Sequence, residues 1–244
     1  YDYWLGGKDN FAVDREMGEA TIKAFPELPQ LSRHNRAFLA RAVRFLAGDA
    51  GIQQFLDVGT GLPTANNTHE VAQSVAPESR IVYVDNDPLV LVHARALLTS
   101  SPEGRTDYIQ ADLRDTDAIV QQAAQTLDLS RPVALMLLSI LAHMPTYDDA
   151  RAIVQKLMSA LPSGSYLTVS DATNTSEAIR EAERVWNESI KPPYNLRSPD
   201  EITGYFDGLE LVEPGIVPVT QWRPDDVTGV PDHVDAYGGI GRKP

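Results

Sequence analysis

Cysteine is absent from this chain. That excludes disulfides, thiolate metal sites and a cysteine nucleophile, and is compatible with a reducing compartment. Basic charge is scarce as well. Lys and Arg number 21 against 34 Asp and Glu, for a formal net charge of −13. No Lys/Arg run is long enough to make the basic face with which general nucleic-acid binders displace counterions. Nucleic acid and membrane are therefore not expected partners, and the acidic balance serves solubility. Long apolar runs are missing too: "PVALMLLSILAHMP" is too short to span a bilayer and is broken by Ser139 and His143. No secretory signal is present, so a cytoplasmic protein is expected. No His pair stands at ligand spacing and no EF-hand acid cluster occurs, so no metal is expected. A G-x-S-x-G nucleophile elbow is also lacking. The sequence begins at Tyr1 rather than Met, and the expectation is that native residues precede it.

What is present is an ordinary globular composition over 244 residues, 43% hydrophobic and 23% charged. It suits one large domain, or one domain with additions. The first 31 residues mix aromatics, glycines and charges, with one short helix predicted in "VDREMGEATIKAF" and stopped by Pro26 and Pro29. A second helix is predicted from an N-cap at Ser32 to a C-cap at Gly48, on the periodicity of Phe38, Leu39, Ala42, Val43, Phe45 and Leu46.

Strand and helix patterns then alternate. Strands are predicted in "QFLDV", "RIVYVD", "TDYIQAD", "PVALMLLS" and "SYLTVSDA". Helices follow them in "NNTHEVAQSVA", "PLVLVHARALL", "TDAIVQQAAQTL", "DDARAIVQKLMSAL" and "SEAIREAERVWNES". Such alternation means parallel βαβ units with helices on both sheet faces. After a short helix capped by Ser198, "LELVEPGIVPV" and "HVDAYGGIGRK" read as two closing strands, suited to an antiparallel edge. The expected division is an N-terminal extension over 1–48 and a Rossmann-like domain over 49–244.

The most informative stretch is "QFLDVGTGLPTANNTHE". In an open α/β sheet, ligands bind beyond the carboxyl ends of the strands. Glycines there let the backbone turn and approach a ligand closely, and the following helix offers backbone N–H groups. Gly59 and Gly61 match the start of a dinucleotide fingerprint, but Thr64 stands where its third glycine would be. Asp57, ahead of the glycines, can accept a hydrogen bond from a cationic amine. Asp85 ends the second strand, where an acid can hold ribose hydroxyls. Asp112 follows the third, where an acid can accept from an exocyclic adenine amine. Each feature alone also reads as a glycine-rich turn or a helix-capping carboxylate. Three acids at three successive strand ends point together to a nucleoside carrying an amino acid.

The pattern resembles the class I S-adenosylmethionine-dependent methyltransferases over residues 50 to about 171. "YDYWLGGKDNFAVDRE", "FLDVGTGLPTANNTHEVAQ" and "YFDGLELVEPGIVPVTQWRP" are similar to a narrower actinobacterial family of methyltransferase-like proteins, the DUF574 type, with substrates unassigned. The resemblance implies an α/β fold: a Rossmann-like doubly wound sheet of about seven mostly parallel strands with a reversed last strand, preceded by an N-terminal helical and loop extension. It implies S-adenosyl-L-methionine as cofactor, S-adenosyl-L-homocysteine as product, and methyl transfer to O or N of a small molecule. The implied cofactor-binding set is Asp57, Gly59, Thr60, Gly61, Asp85, Asn86, Asp112, Leu113 and Ser139. "YDYWLGGKDNF" reads either as a lid that brings Gly7 and Lys8 to the cofactor or as an aromatic clasp packed on the sheet edge.

Methyl transfer draws much of its rate from alignment and needs a base only where the acceptor loses a proton. His143, after the fourth strand, is the candidate base, with a helix cap or structural role as the alternative. Family members place a histidine directly after the leucine, where this chain has Ala142. His69 and His93 read as surface or packing residues, and His233 is unassigned. Arg33, Trp186, Tyr194 and Trp222 are the candidate acceptor-side residues; the alternative is a solvated helix face for Arg33 and loop anchoring for the tryptophans and the tyrosine. Two other functions fit parts of the pattern. One is a non-catalytic sensor that keeps the cofactor site; the other is an NAD-linked oxidoreductase, against which Thr64 counts.

Overall fold

The computed structural model of the chain describes residues 2–8, 10–62, 66–90, 92, 100–225 and 234–244. Helices α1 (Ala12–Ala24) and α2 (Leu28–Arg44) come first, and α2 runs into one wide turn at Phe45–Asp49. The alternating part follows as β1 (Gln54–Val58), α3 (Thr68–Val75), β2 (Arg80–Asp85), β3 (Arg105–Gln110), α4 (Thr116–Ala123), β4 (Ala134–Leu138), α5 (Tyr147–Ser159), β5 (Tyr166–Ala172) and α6 (Glu177–Ser189). The chain closes with α7 (Pro199–Gly204), β6 (Glu210–Leu211), β7 (Val217–Pro218) and β8 (Ala236–Arg242). Of the helix predicted in "PLVLVHARALL", residues 88–90 and 92 are helical; the rest, with His93, lies outside the described residues, as does His233.

The strands form one sheet in the order β3-β2-β1-β4-β5-β8-β6, with β7 also paired to β8. β1 to β5 are mutually parallel, and β8 runs antiparallel to β5 from Tyr166↔Arg242 to Ala172↔Ala236. The predicted alternation therefore produces the predicted architecture. The chain winds to one side of β1 through β2 and β3, then returns to the other through β4 and β5. That reversal opens a crevice beyond the carboxyl ends of β1 and β4.

Period-two alternation sorts the core into two layers. Phe55, Ile81 and Met136 face one layer with Phe38 and Val43 of α2 and Ala72 of α3. Leu56, Val82 and Leu135 face the other with Ile119 of α4 and Val154 and Leu157 of α5. Every residue of β1 is buried, as expected for the centre of a sheet covered on both faces.

Three boundaries differ from expectation. α2 begins at Leu28, because Pro29 sits in its first turn, where the missing N–H costs nothing. Ser32 is consequently inside the helix, its hydroxyl donating back to the Leu28 carbonyl at 3.0 Å. Gly48 lies within the wide turn, and the left-handed residue beyond the helix is Gly51, at φ +67°. "LELVEPGIVPV" is two short strands rather than one: Gly215 turns at φ +90° and breaks the pairing along β8.

Candidate active site

The turn after β1 is built on two glycines with different tasks. Gly59 adopts φ +78° and donates to the Val84 carbonyl at 2.8 Å; an added Cβ would lie 2.5 Å from Cγ1 of Ile140. Gly61 adopts φ +63° and donates to Oδ2 of Asp85 at 2.9 Å, and a Cβ there would meet no atom of the described residues within 4 Å. One glycine is needed for close packing under the β4 loop; the other is needed for its left-handed backbone. Asp85 uses its second oxygen to accept from the Asp87 N–H at 3.0 Å. A carboxylate oxygen has two acceptor positions, so Asp85 is held by backbone donors and keeps capacity for further hydroxyls. Thr60 and Asn86 flank it, half-buried and exposed respectively.

Asp57 turns the other way. It is buried beneath the start of α3 and accepts from the Thr68 hydroxyl at 2.6 Å. Burial pushes its pKa up to about 6. Next to it, the Tyr83 hydroxyl accepts the His69 N–H at 2.8 Å and meets the His69 ring at the same distance. His69 is thus the packing residue of the two readings. Arg36 of α2 donates to the Asn66 carbonyl at 3.1 Å and ties α2 to the same loop. Asp112 is gripped by Arg114 through Nε at 2.8 Å and a terminal nitrogen at 2.5 Å, which holds its carboxyl below the usual range. Leu113 beside it is buried.

The β4 end carries Ser139 at φ +58°, a backbone conformation rare for a non-glycine residue. Its N–H donates to the Ser170 carbonyl at 2.7 Å, and its hydroxyl accepts from Asn35 of α2 at 3.0 Å. A 3₁₀ turn then presents His143. The His143 ring stands edge-on to Tyr194, centroids 5.2 Å apart. Its Nδ1 is buried without a partner, and burial pushes its pKa down. Tyr194 donates to Oδ1 of Asp171 at 3.0 Å, and the Ala142 N–H donates to Oδ2 at 3.2 Å. Asp171 is fully buried, and that burial pushes it up to about 7.

Gly59, Thr60, Gly61, Asp85 and Ser139 are therefore gathered at the crevice, with Asp112 two strands along the same edge. His143 and Tyr194 stand together beyond β4. Other candidates lie elsewhere. Trp222 is completely buried, edge-on to Phe38 and Phe45 at 5.5 and 5.9 Å, so it anchors its loop to the core rather than lining a pocket. Trp186 packs on Trp4, centroids 5.8 Å apart, joining the N-terminal segment to α6. Arg33 is exposed on α2, and Gly7 and Lys8 are exposed in the N-terminal turn. Two residues had gone unremarked, Asn35 and Asp171. Each carried a signal: an asparagine on the apolar stripe Leu31–Phe38–Ala42, and an acid closing a buried strand.

The family model for S-adenosyl methyltransferases matches residues 1–244. The chain belongs to the S-adenosyl methyltransferase family. It is an S-adenosylmethionine-dependent methyltransferase with its substrate unassigned. Two solved structures are similar to it throughout. A DUF574 family protein from Streptomyces avermitilis is 47% identical, covers 100% of this chain and 95% of its own, with TM-score 0.95. A protein from Thermobifida fusca is 43% identical over 100% of this chain and 92% of its own, with TM-score 0.92. The N-methyltransferase NodS of Bradyrhizobium japonicum, solved with S-adenosyl-L-homocysteine, shares the fold at 15% identity, covering 88% of each chain, with TM-score 0.54. No curated protein matches. The spare acceptor capacity of Asp85 suits the ribose hydroxyls of this cofactor, and with the family match the NAD-linked alternative gives way. Among the described residues, no group of side chains could hold a metal and no helix is long and apolar enough to cross a membrane.

Proposed function

We propose that this methyltransferase acts in the cytoplasm on a small molecule, at oxygen or nitrogen, with neither nucleic acid nor membrane as partner. The observation that carries the reading is the contact between the glycine turn and Asp85 at the sheet's reversal point. In the proposal, Asp85 and Asn86 hold the ribose hydroxyls, and Asp112 and Leu113 bound the adenine. The amino-acid end lies over Gly59, Thr60, Gly61 and Ser139, and Asp57 supports that end from beneath α3. Residues 1–48 form a cover, with Gly7 and Lys8 closing on the cofactor and Arg33 on the acceptor side. The bound cofactor supplies an electrophilic methyl carbon on sulfur.

The acceptor approaches past Tyr194 and Trp186 in this reading. His143 takes the proton where the acceptor must lose one. Its depressed pKa keeps the imidazole neutral, as a base requires. It must also turn Nδ1 outward from its buried position.

Calorimetric titration tests the cofactor half. Wild-type protein should bind S-adenosylmethionine and S-adenosylhomocysteine saturably and NAD not at all. Asp85→Ala should weaken both by roughly 10- to 100-fold, the value of hydrogen bonds to a charged group. Unchanged affinity in that variant would sink the assignment of the crevice. Release of S-adenosylhomocysteine on adding phenol or amine acceptors tests the other half.

A further inference from the structure

Three side chains form a directed hydrogen-bond chain between α2 and the ends of β4 and β5. The Ser170 hydroxyl donates to Oδ1 of Asn35, and Nδ2 of Asn35 donates to the Ser139 hydroxyl at 3.0 Å. Asn35 is buried and Ser170 is fully so. A carboxamide has one acceptor end and one donor end. In the structure Oδ1 faces Ser170 and Nδ2 faces Ser139. The Ser139 oxygen thus receives a proton from Asn35, and its own O–H is turned away, with no hydrogen-bond acceptor for it among the described residues. Ser139 sits at the crevice, its backbone in the left-handed region and its successor Ile140 lying over Gly59.

We propose that Asn35 is a positioning residue that aims the Ser139 hydroxyl at the carboxylate of the cofactor's amino-acid end. This rests on the cofactor placement given above. The acids Asp85, ending β2, and Asp112, just after β3, recognise donors, which puts ribose and adenine on that side of β1 and the amino-acid end toward β4. The carboxylate is the strong acceptor of that end, and an oriented hydroxyl is a matched donor. An N-terminal helix thereby sets cofactor affinity through a strand-end serine.

The test compares S-adenosylhomocysteine with 5′-methylthioadenosine, which keeps the nucleoside and sulfur but lacks the carboxylate. Asn35→Asp presents an acceptor to Ser139 and draws its proton inward. At pH 8 it should weaken S-adenosylhomocysteine roughly 10-fold and methylthioadenosine less than about 2-fold. Ser139→Ala should show the same discrimination, and the double variant should be no weaker than either single one. Lowering the pH should return affinity to Asn35→Asp as its carboxyl regains a proton to donate, and should not do so in Ser139→Ala. Equal losses for both ligands, or losses that add in the double variant, would overturn the proposal. If Asn35→Asp does not fold, Ser139→Ala alone decides by the presence or absence of discrimination. Loss of affinity in Asp85→Ala with no effect at Asn35 or Ser139 overturns this inference only. No effect in any of the three overturns the cofactor placement itself.

Discussion

Gly59→Val should abolish measurable S-adenosylmethionine binding, a loss of more than about 100-fold, and should lower stability by roughly 2–5 kcal/mol. Two independent costs meet at this residue. Its φ of +78° lies where a β-branched side chain is strongly disfavoured. Its Cβ would also stand 2.5 and 2.7 Å from Cγ1 and Cβ of Ile140, too close for any rotamer of Ile140 to relieve both contacts. The turn must therefore shift, and with it the Gly61 N–H that fixes Asp85. Gly61→Ala separates these effects. It carries a φ penalty at +63°, but among the described residues its methyl group meets no atom within 4 Å, so its fold should survive while the methyl group crowds the ligand. Ile140→Ala in the Gly59→Val background should recover part of the stability and little of the binding. Urea unfolding and calorimetry on the same samples check both quantities. Full affinity in Gly59→Val would show that the turn does not approach the ligand.

The parts of this protein that period and punctuation encode were legible without coordinates. β1 is bounded as predicted, because an apolar run ending in Asp and glycine can only be a buried strand meeting a turn. Pro29 was misread as a stop, since the same missing N–H that ends one helix is tolerated in the first turn of the next. Gly48 and Gly51 are equally plausible helix terminators in sequence, and only the wide turn at Phe45–Asp49 decides between them. In the candidate site, Asp57 and Asp85 at the ends of β1 and β2, and Asp112 after β3, are candidates by position alone. Asn35 did not, because its meaning lies in partners 104 and 135 residues away. No local pattern carries that information. Trp222 shows the converse. A tryptophan in a polar, proline-rich loop is compatible with both pocket and anchor until Phe38 and Phe45 are seen against it.

Asp171→Asn should raise stability by about 4 kcal/mol at pH 8 and by little at pH 4, with the difference developing between those values. Burial holds the folded-state pKa of Asp171 at about 7, above the carboxylate's value in the unfolded chain. Across that interval the folded chain keeps a proton that the unfolded chain has released. Stability therefore falls as pH rises, and the full penalty is present above the folded pKa. Asp57, raised to about 6, slopes the same way. His69 and His143, both pushed down by burial, slope the opposite way as pH falls below the ordinary histidine value. The absolute pH profile mixes these groups, so the informative quantity is wild type minus variant. The charges and hydroxyls around Asp171 are Arg197, Tyr194 and Tyr205. None is removed by the substitution, and asparagine can still accept from the Ala142 N–H while donating to the Tyr194 oxygen. A wild-type-minus-variant difference that stays constant from pH 4 to pH 8 would mean that Arg197 already neutralises an ionised Asp171. In that case the carboxylate is held as an ion pair, and the His143–Tyr194 corner of the site does not loosen as pH rises. If the difference appears as expected, ionisation of Asp171 strains the corner where it accepts from Tyr194, which in turn stands edge-on to His143.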